Sequence, residues 1–432
     1  MSFAESLGEA GRRKGRFCAY AACLCGCVSE VMLDTSAIII LFMAMLGGGD
    51  MLMMLINSFT GLLCMFLYIP CVAIIVRMGK IPAVRLACIT GCIGYLLMAC
   101  APWFGPFRIA AAVTGCLIYC LQRSLYGACW YPLLDVFLRP EDRGAFFGNL
   151  RSMYYTFTGV LFFLIGLAMG SNPPMWLMQT VIGIAGLLLL GRNFFASRFP
   201  TDPNAVVEVP DIRKALGISV RNGPLTAYSV YVCMLTLATA SLGPLLFIYL
   251  RNYVRLKPGT VQIISAVGMI GHIVGFLLYS RMLRFMGQKK LELLVHLNYI
   301  AAAFLLCFIG KSTPGFPIIA AAILCLVTFT GSIFGCNNSS EMLALARPGN
   351  KTMATAFTQT YTSVGGFIGR GGVSLLLGVS MLAPEWTCWG MTVSRYQSIF
   401  LFCGVIATVM LILIPTLPAV VPVHDDYYEP SH

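Results

Sequence analysis

The sequence predicts an all-α polytopic membrane protein, with twelve transmembrane helices in two pseudo-symmetric six-helix bundles. Three observations predict it. Of 432 residues, 58% are hydrophobic and 11% charged, against roughly 25% charged in soluble proteins. There is too little polar surface to cover soluble domains, and the composition also excludes disorder, collagen and coiled coil. Twelve apolar stretches approach or exceed the roughly 20 residues that a bilayer crossing needs. Landmarks in the polar connections recur at one fixed offset. Strands of a membrane barrel would be about ten residues long and strictly alternating, and these stretches are neither.

Span 1 (17–46) follows Arg12, Arg13, Lys14 and Arg16. It is too long for the apolar core of a secretory signal, so it reads as a retained helix with its N-terminus inside. Span 2 (51–76) runs into Arg77, Gly79 and Lys80, and spans 3 (84–101) and 4 (107–136) follow. The polar segment Arg139-Pro140-Glu141-Asp142-Arg143 separates span 4 from span 5 (145–169), and span 6 (175–196) closes the first half. The interval 197–224 holds Pro200, Pro203 and Pro210, then an amphipathic stretch from Asp211 to Arg221. Spans 7 (225–250) and 8 (260–282) lead to a turn with Arg284, Gly287, Lys289 and Lys290. Span 9 (290–309) and span 10 (316–343) precede Arg347-Pro348-Gly349-Asn350-Lys351, and spans 11 (353–381) and 12 (397–420) complete the chain. Small and weakly polar residues within these stretches suit packed membrane helices. The expected organisation is a bundle over 1–196, a cytoplasmic linker over 197–224, and a bundle over 225–432 with a short cytoplasmic tail.

Charge placement sets the expected topology. With the N-terminus inside, 20 of the 29 lysines and arginines fall on inner segments, Arg192 counted among them, and six on outer ones. That bias puts both termini in the cytoplasm of a cell-membrane protein. The net charge of +12 is then a topology signal and a basic rim facing anionic lipid, with no nucleic acid needed. Most of the 18 cysteines lie inside spans, where they serve helix packing, so neither a disulfide framework nor a metal site is expected. No cofactor is expected either.

Gly79 and Gly287 lie 208 residues apart, and so do Pro140 and Pro348. Two landmarks at one offset, in connections of matching topology, indicate a duplicated six-helix unit. A chain of this length and plan, with basic inner loops after spans 2 and 8, resembles the major facilitator superfamily along essentially its whole length. The family's loop signature is Gly, three residues, Asp-Arg, one residue, Gly and two basic residues. This chain keeps Arg77, Gly79 and Lys80, with Val72 and Val76 at the first Gly and Asp positions. The segment from Pro140 to Arg151 is similar to the inner 4–5 segment of bacterial facilitator carriers. It also resembles that of glycoside–cation symporters, which have an arginine at the Arg151 position. Span 5 has Gly159, Gly166 and Gly170 but no proline, unlike drug–proton antiporters. The resemblance implies a central cavity lined by spans 1, 4, 7 and 10, with Arg77, Gly79, Lys80, Asp135 and Arg143 at the inner gate.

Charges inside spans are the functional candidates. Each costs about 2.5–3.5 kcal/mol at a helix centre, so Glu30, Asp34, Arg123, Arg151 and Arg370 must pair or face a wet cavity. Glu30 and Asp34, four apart, differ by about 40° and share a helix face. Two carboxylates that close repel unless one is protonated, which suits ion coupling; the alternative is an ion pair with Arg123. Tyr119, Arg123, Tyr126 and Trp130 fall in an arc of roughly 60°. Aromatic walls and a guanidinium suit a sugar ring or a carboxylate, although packing would also explain the aromatics. Arg151 shares a face with Tyr155 and Thr158, and either contacts solute or links to Asp135 or Glu141. Arg370, within Gly369-Arg370-Gly371-Gly372, shares a face with Gln359 and Ser363. Asn337, Asn338 and Glu341 form a polar patch fit for gating or for helix-to-helix hydrogen bonds. His272 is expected to be the only histidine well inside a span, as a proton relay or a neutral, hydrogen-bonded group.

These residues point to a secondary transporter moving a small polar organic solute by alternating access: a sugar, a sugar derivative or an organic anion. The expected partners are that solute, a coupling cation (proton or sodium) and the lipid bilayer, with the protein a monomer. The alternative is a proton-coupled exporter of amphipathic compounds. A membrane-embedded transferase fits less well, because there are four histidines in all and the outer loops are short. An enzyme is therefore not expected.

Overall fold

The computed structural model describes residues 7–134, 137–138, 143–200, 211–311, 313–347, 350–379, 381–388 and 391–413. Span 1 is two helices, Glu9–Asp34 and Ile38–Met45, and spans 2 and 3 are Asp50–Met78 and Lys80–Cys100. A 3₁₀ turn, Ala101–Phe107, leads to span 4, Arg108–Leu134. Spans 5 and 6 are Arg143–Met169 and Met175–Ala196, and a short linker helix, Ile212–Val220, follows. Span 7 comprises Gly223–Thr239, Leu242–Ile248 and a π turn, Tyr249–Tyr253. One continuous assignment, Pro258–Phe308, contains spans 8 (258–286) and 9 (288–308), because Gly287 is non-helical. Span 10 is Phe316–Ala344, span 11 Lys351–Gly378 and span 12 Arg395–Leu413. Residues 414–420 of the expected last span lie outside the described residues.

Among the described residues, nine stretches are long and apolar enough to cross a membrane. Two of them, Lys80–Trp130 and Pro258–Phe308, have 51 residues each and turn back at Gly105 and Gly287. Those give eleven passes. Lys351–Gly378, diluted by Arg370 and its glycines, is the twelfth. The chain is thus an all-α polytopic membrane protein, and large apolar side chains such as Leu164, Leu277, Phe285 and Ile412 stand exposed on its flanks, where lipid replaces water.

The duplication is visible in the backbone. Gly79 and Gly287 both take positive φ, 86° and 71°, with extended ψ of 158° and 165°. A further pair at the same spacing is Gly47 (φ 89°) and Arg255 (φ 67°). Glycine reaches this region without a Cβ clash; arginine does not. Arg255 is exposed, so Arg255→Gly is expected to stabilise the protein by about 1 kcal/mol. A thermal unfolding curve in detergent checks this, and a loss of stability would show that the arginine makes a contact worth more than the strain. The proline landmarks, Pro140 and Pro348, lie outside the described residues.

Two breaks were not legible beforehand. Span 1 stops at Asp34 because Thr35 and Ser36 compete for the same carbonyl: both backbone amides donate to Val31 O at 3.0 Å. The Thr35 hydroxyl also donates there, at 3.2 Å. Ser36 Oγ then accepts from Ile38 N at 3.1 Å and starts the second helix. Span 8 covers the exposed backbone, with Ser265 Oγ bridging Thr35 O and Ala37 N at 3.3 Å each. Span 7 breaks at Ala240–Ser241 for a different reason: Pro244 has no N–H for Ala240 O, which accepts from Arg370 instead. A hairpin of two strands, β1 (Glu385–Cys388) and β2 (Met391–Ser394), joins spans 11 and 12 and was also not anticipated.

The halves meet along two seams, span 5 with span 8 and span 2 with span 11, and both are closed at the end of the bundle opposite the linker. Spans 5 and 8 touch backbone to backbone, with Gly259 N donating to Gly170 O at 3.0 Å. Spans 2 and 11 are joined by Ser374 Oγ donating to Met51 O at 2.7 Å. Asp50 accepts from Asn252 at 2.5 Å and is also bound by Arg395 and Tyr396. A cleft of about 570 Å³ beside this knot is lined by Asn252, Tyr253, Glu385 and Arg395, away from the intramembrane charges. A Cβ at Gly259 would stand 2.6–2.9 Å from Gly166 O, Gly170 O and Gly170 N, all rigid backbone. Gly259→Leu is therefore expected to hold this end apart. Thiol reagents should label a cysteine placed at position 262, where Gln262 is fully buried between the halves, at least about tenfold faster in that variant, and unchanged labelling would show that the seam does not gate access.

Candidate transport site

The last full turn of span 1, just before its break, presents Glu30 and Asp34 on one face. Arg123 of span 4 bridges them, NH1 to Glu30 Oε2 at 2.7 Å and NH2 to Asp34 Oδ2 at 2.9 Å. The other Glu30 oxygen takes Arg192 NH1 of span 6 at 2.5 Å. Two acids and two arginines balance. The side chains of Arg123, Asp34 and Glu30 keep 30%, 25% and 21% exposure, whereas Arg192 keeps 1%. One flank of the cluster is thus open and the other sealed in the N-terminal half.

Sequence reasoning misses Arg192 because it stands four residues from a span end, where a charge groups with those of the inner segment. Its Nε donates to Ala22 O at 3.3 Å, and its guanidinium lies 4.1 Å over the Tyr126 ring. Gly26 makes room for it, since a Cβ there would overlap the guanidinium. The second acid is therefore no surplus over the buried arginines.

The aromatics beside Arg123 serve as supports. Tyr119 is fully buried and meets Tyr95 edge to face at 4.6 Å. Its hydroxyl reaches Ser29 Oγ at 3.4 Å, and the Tyr95 hydroxyl donates to Ser29 O at 2.5 Å. Both hold span 1 next to Glu30. Tyr126 is buried beneath Arg192 and stacks on Trp130 at 5.5 Å. Neither tyrosine lines the open flank.

Arg151 reaches across the halves. Its NH1 lies 3.2 Å from Cys336 Sγ of span 10, and its guanidinium is 5.3 Å over Phe276 of span 8. The expected partners Asp135 and Glu141 lie outside the described residues. Tyr155 stacks on His272 at 4.2 Å. His272 Nδ1 is 2.7 Å from Ser332 Oγ, which fits the neutral, hydrogen-bonded reading. Arg370 donates to Ala240 O, at the break of span 7, at 3.0 Å, and to Asn57 O of span 2 at 2.8 Å. It has no carboxylate partner among the described residues. Gln359 and Ser363 on the same helix are half-buried.

Among the gate candidates, Arg77 and Lys80 are exposed and flank the left-handed Gly79. Asp135 lies outside the described residues. Arg143 opens span 5, and its side chain is not among the described ones. Asn337 is buried and donates to Glu292, and Glu341 is buried. Two residues of span 9 escape sequence reading. Glu292 is overshadowed by Lys289 and Lys290, and His296, fully buried, corrects the expectation that His272 would be the only histidine well inside a span.

No protein-family model matches the sequence, and no curated protein matches it. Solved structures do. The crystal structure of nucleoside transporter NupG superposes with a TM-score of 0.67, at 13% identity, over 94% of this chain and 98% of that one. The crystal structure of a D-xylose–proton symporter gives 0.72 at 11% identity, over 93% and 96%. The partially occluded, inward-open xylose transporter XylE from E. coli gives 0.68 at 11%, over 94% and 98%. At such identities the likeness is one of architecture, and it covers nearly the whole of each chain. The twelve-span, duplicated chain therefore has the fold of the major facilitator superfamily.

Proposed function

We propose that this protein is a secondary active transporter that carries a small polar organic solute by alternating access, coupled to a proton or another cation. The observation that carries the reading is the half-open Glu30–Arg123–Asp34 bridge at the break of span 1, set in a transporter fold. A membrane protein has reason to keep such charges partly wet where a solute must pass. The structures it resembles are named for nucleoside and xylose transport, and a xylose or nucleoside offers the hydroxyls that this bridge would bind. An exporter of amphipathic compounds is not favoured, and the similar structures are named as transporters rather than enzymes.

In this reading the linker end faces the cytoplasm, with both termini there. The halves, 1–196 and 225–432, rock about the site as a monomer in the cell membrane. The sealed seams at the far end then correspond to an inward-facing state. Asp34 holds one arm of Arg123 and nothing else. A proton on Asp34 removes that charge contact and frees the arm for a solute oxygen. Arg370, hydrogen-bonded to two carbonyls and within electrostatic reach of Asp34, stands on the opposite half with Gln359 and would favour a solute with an acidic group. Arg151 and Tyr155 would complete the contact from span 5, and Tyr119 and Tyr126 would hold the arginines in place. Asn337, Glu341, Arg143 and Asp135, with the Arg77-to-Lys80 turn, would form the cytoplasmic gate.

A thermal-shift screen of the purified protein against pentoses, nucleosides and sugar acids tests this. A ligand at 100 times its dissociation constant stabilises by about 2.7 kcal/mol. A hit in the wild type that vanishes in Arg123→Gln is expected. A hit that persists in that variant places the solute elsewhere.

A further inference from the structure

The C-terminal half contains a buried acid with no cation. Glu292 of span 9 is 4% exposed. One oxygen accepts from the Tyr231 hydroxyl of span 7, and the other from the Asn337 amide of span 10. The contrast with Glu30, gripped by two guanidinium groups at 2.7 and 2.5 Å, is complete. The titratable groups around Glu292 are Tyr228 and Tyr231 on span 7, Tyr279 on span 8, Glu341 on span 10, and His296 and Tyr299 on its own span. Span 12 carries no charge beyond Arg395 at its far end. Among the described residues no lysine or arginine pairs with Glu292. His296 is fully buried, with Nδ1 3.1 Å from Glu292 O and Nε2 without a partner, an arrangement that favours the uncharged ring.

A carboxylate facing only neutral donors in an apolar interior is costly, and a proton removes that cost. The surroundings also accommodate the protonated form. Asn337 Oδ1 is buried and has no hydrogen-bond partner, and neither has the Tyr228 hydroxyl. A half-turn of the Asn337 amide would present Oδ1 to Glu292, so that a protonated carboxyl could donate to it. Glu341 lies four residues further along span 10, within electrostatic reach of Glu292. Its neighbour Ser340 is exposed and 3.3 Å from the Tyr279 hydroxyl, which gives a short route to water at the linker end.

We propose that the Glu292 carboxyl is a second proton-binding site, separate from the Glu30–Asp34 cluster. Its charged form ties span 7 and span 10 to span 9 through Tyr231 and Asn337. Loading the proton weakens both ties and releases the two cavity-lining spans for the rocking motion. That role in coupling rests on the transporter reading; the binding of the proton does not.

Infrared difference spectra of the full-length protein in liposomes, between about pH 5 and about pH 9, read the site without any solute. A protonated-carboxyl C=O band that appears on acidification and shifts in D₂O is expected. The component that belongs to Glu292 should be lost in Glu292→Gln and kept in Asp34→Asn, Glu30→Gln and Glu341→Gln. A wild type without such a band, or a band unchanged in Glu292→Gln, overturns the proposal. Should Glu292→Gln fail to fold, Tyr231→Phe removes one hydrogen bond from the carboxyl and is expected to shift the band; an unshifted band overturns the proposal equally. Proton-driven uptake that persists without the band sinks the site and spares the transporter reading. The band without any uptake does the reverse.

Discussion

Arg192→Ala is expected to destabilise the protein by about 3 kcal/mol, at the lower end of the range for breaking a buried ion pair. Every contact of this side chain is specific. One guanidinium nitrogen lies 2.5 Å from Glu30, Nε donates to Ala22 O, and the plane rests on Tyr126. Alanine leaves Glu30 with Arg123 alone and opens a void against Gly26. The low end applies because Glu30 retains 21% exposure, so water shares the deficit. Arg192→Lys keeps the charge but loses the fork and the stacking, and is expected to cost about 1–2 kcal/mol. Unfolding of the purified variants in mixed micelles checks both values. A change below about 1 kcal/mol for Arg192→Ala would mean that the cluster does not depend on this arginine.

Asp34→Asn is expected to abolish concentrative uptake while leaving exchange intact. With one proton per solute, a tenfold proton gradient supports roughly tenfold accumulation, because the same free energy stands on both sides. The amide cannot exchange a proton, so the accumulation ratio falls to about one. Solute-for-solute exchange needs only the conformational change and persists. Asp34 is the sharper choice over Glu30 because its one charge contact is Arg123 at 2.9 Å, whereas Glu30 also anchors Arg192. Glu30→Gln should therefore lose both coupling and stability. Equal accumulation in wild type and Asp34→Asn would remove this aspartate from coupling.

The architecture was legible because membrane insertion writes it into local composition. Apolar runs set the spans, and the repeat announced itself through Gly79 and Gly287, at both of which the structure then shows a positive φ. The shared face of Glu30 and Asp34 followed from helical spacing alone. What the sequence hid depends on long-range contacts. Arg192 and Glu292 sit near span ends, where charge is ordinarily solvated, and only helix packing decides which of them turn inward. Tyr119 and Tyr126 share the Arg123 arc yet support the cluster from behind, because periodicity gives the face of a helix and not its neighbour. The break at Thr35 arises from short polar groups competing for one backbone carbonyl, without a proline to mark it, whereas the break at Ala240 lies four residues before Pro244, which has no N–H to offer Ala240 O. The hairpin β1–β2 is too short to stand out against its loop.

Uptake into proteoliposomes tests the central claim most directly. The full-length protein is reconstituted, a proton gradient is imposed, and labelled pentoses, nucleosides and sugar acids are offered in turn. At least one solute should accumulate above its outside concentration, collapse to equilibrium when a protonophore is added, and fail to accumulate with Asp34→Asn. If no polar solute enters in a protein-dependent way, or if entry ignores both the gradient and the variant, the coupled-transporter account is contradicted.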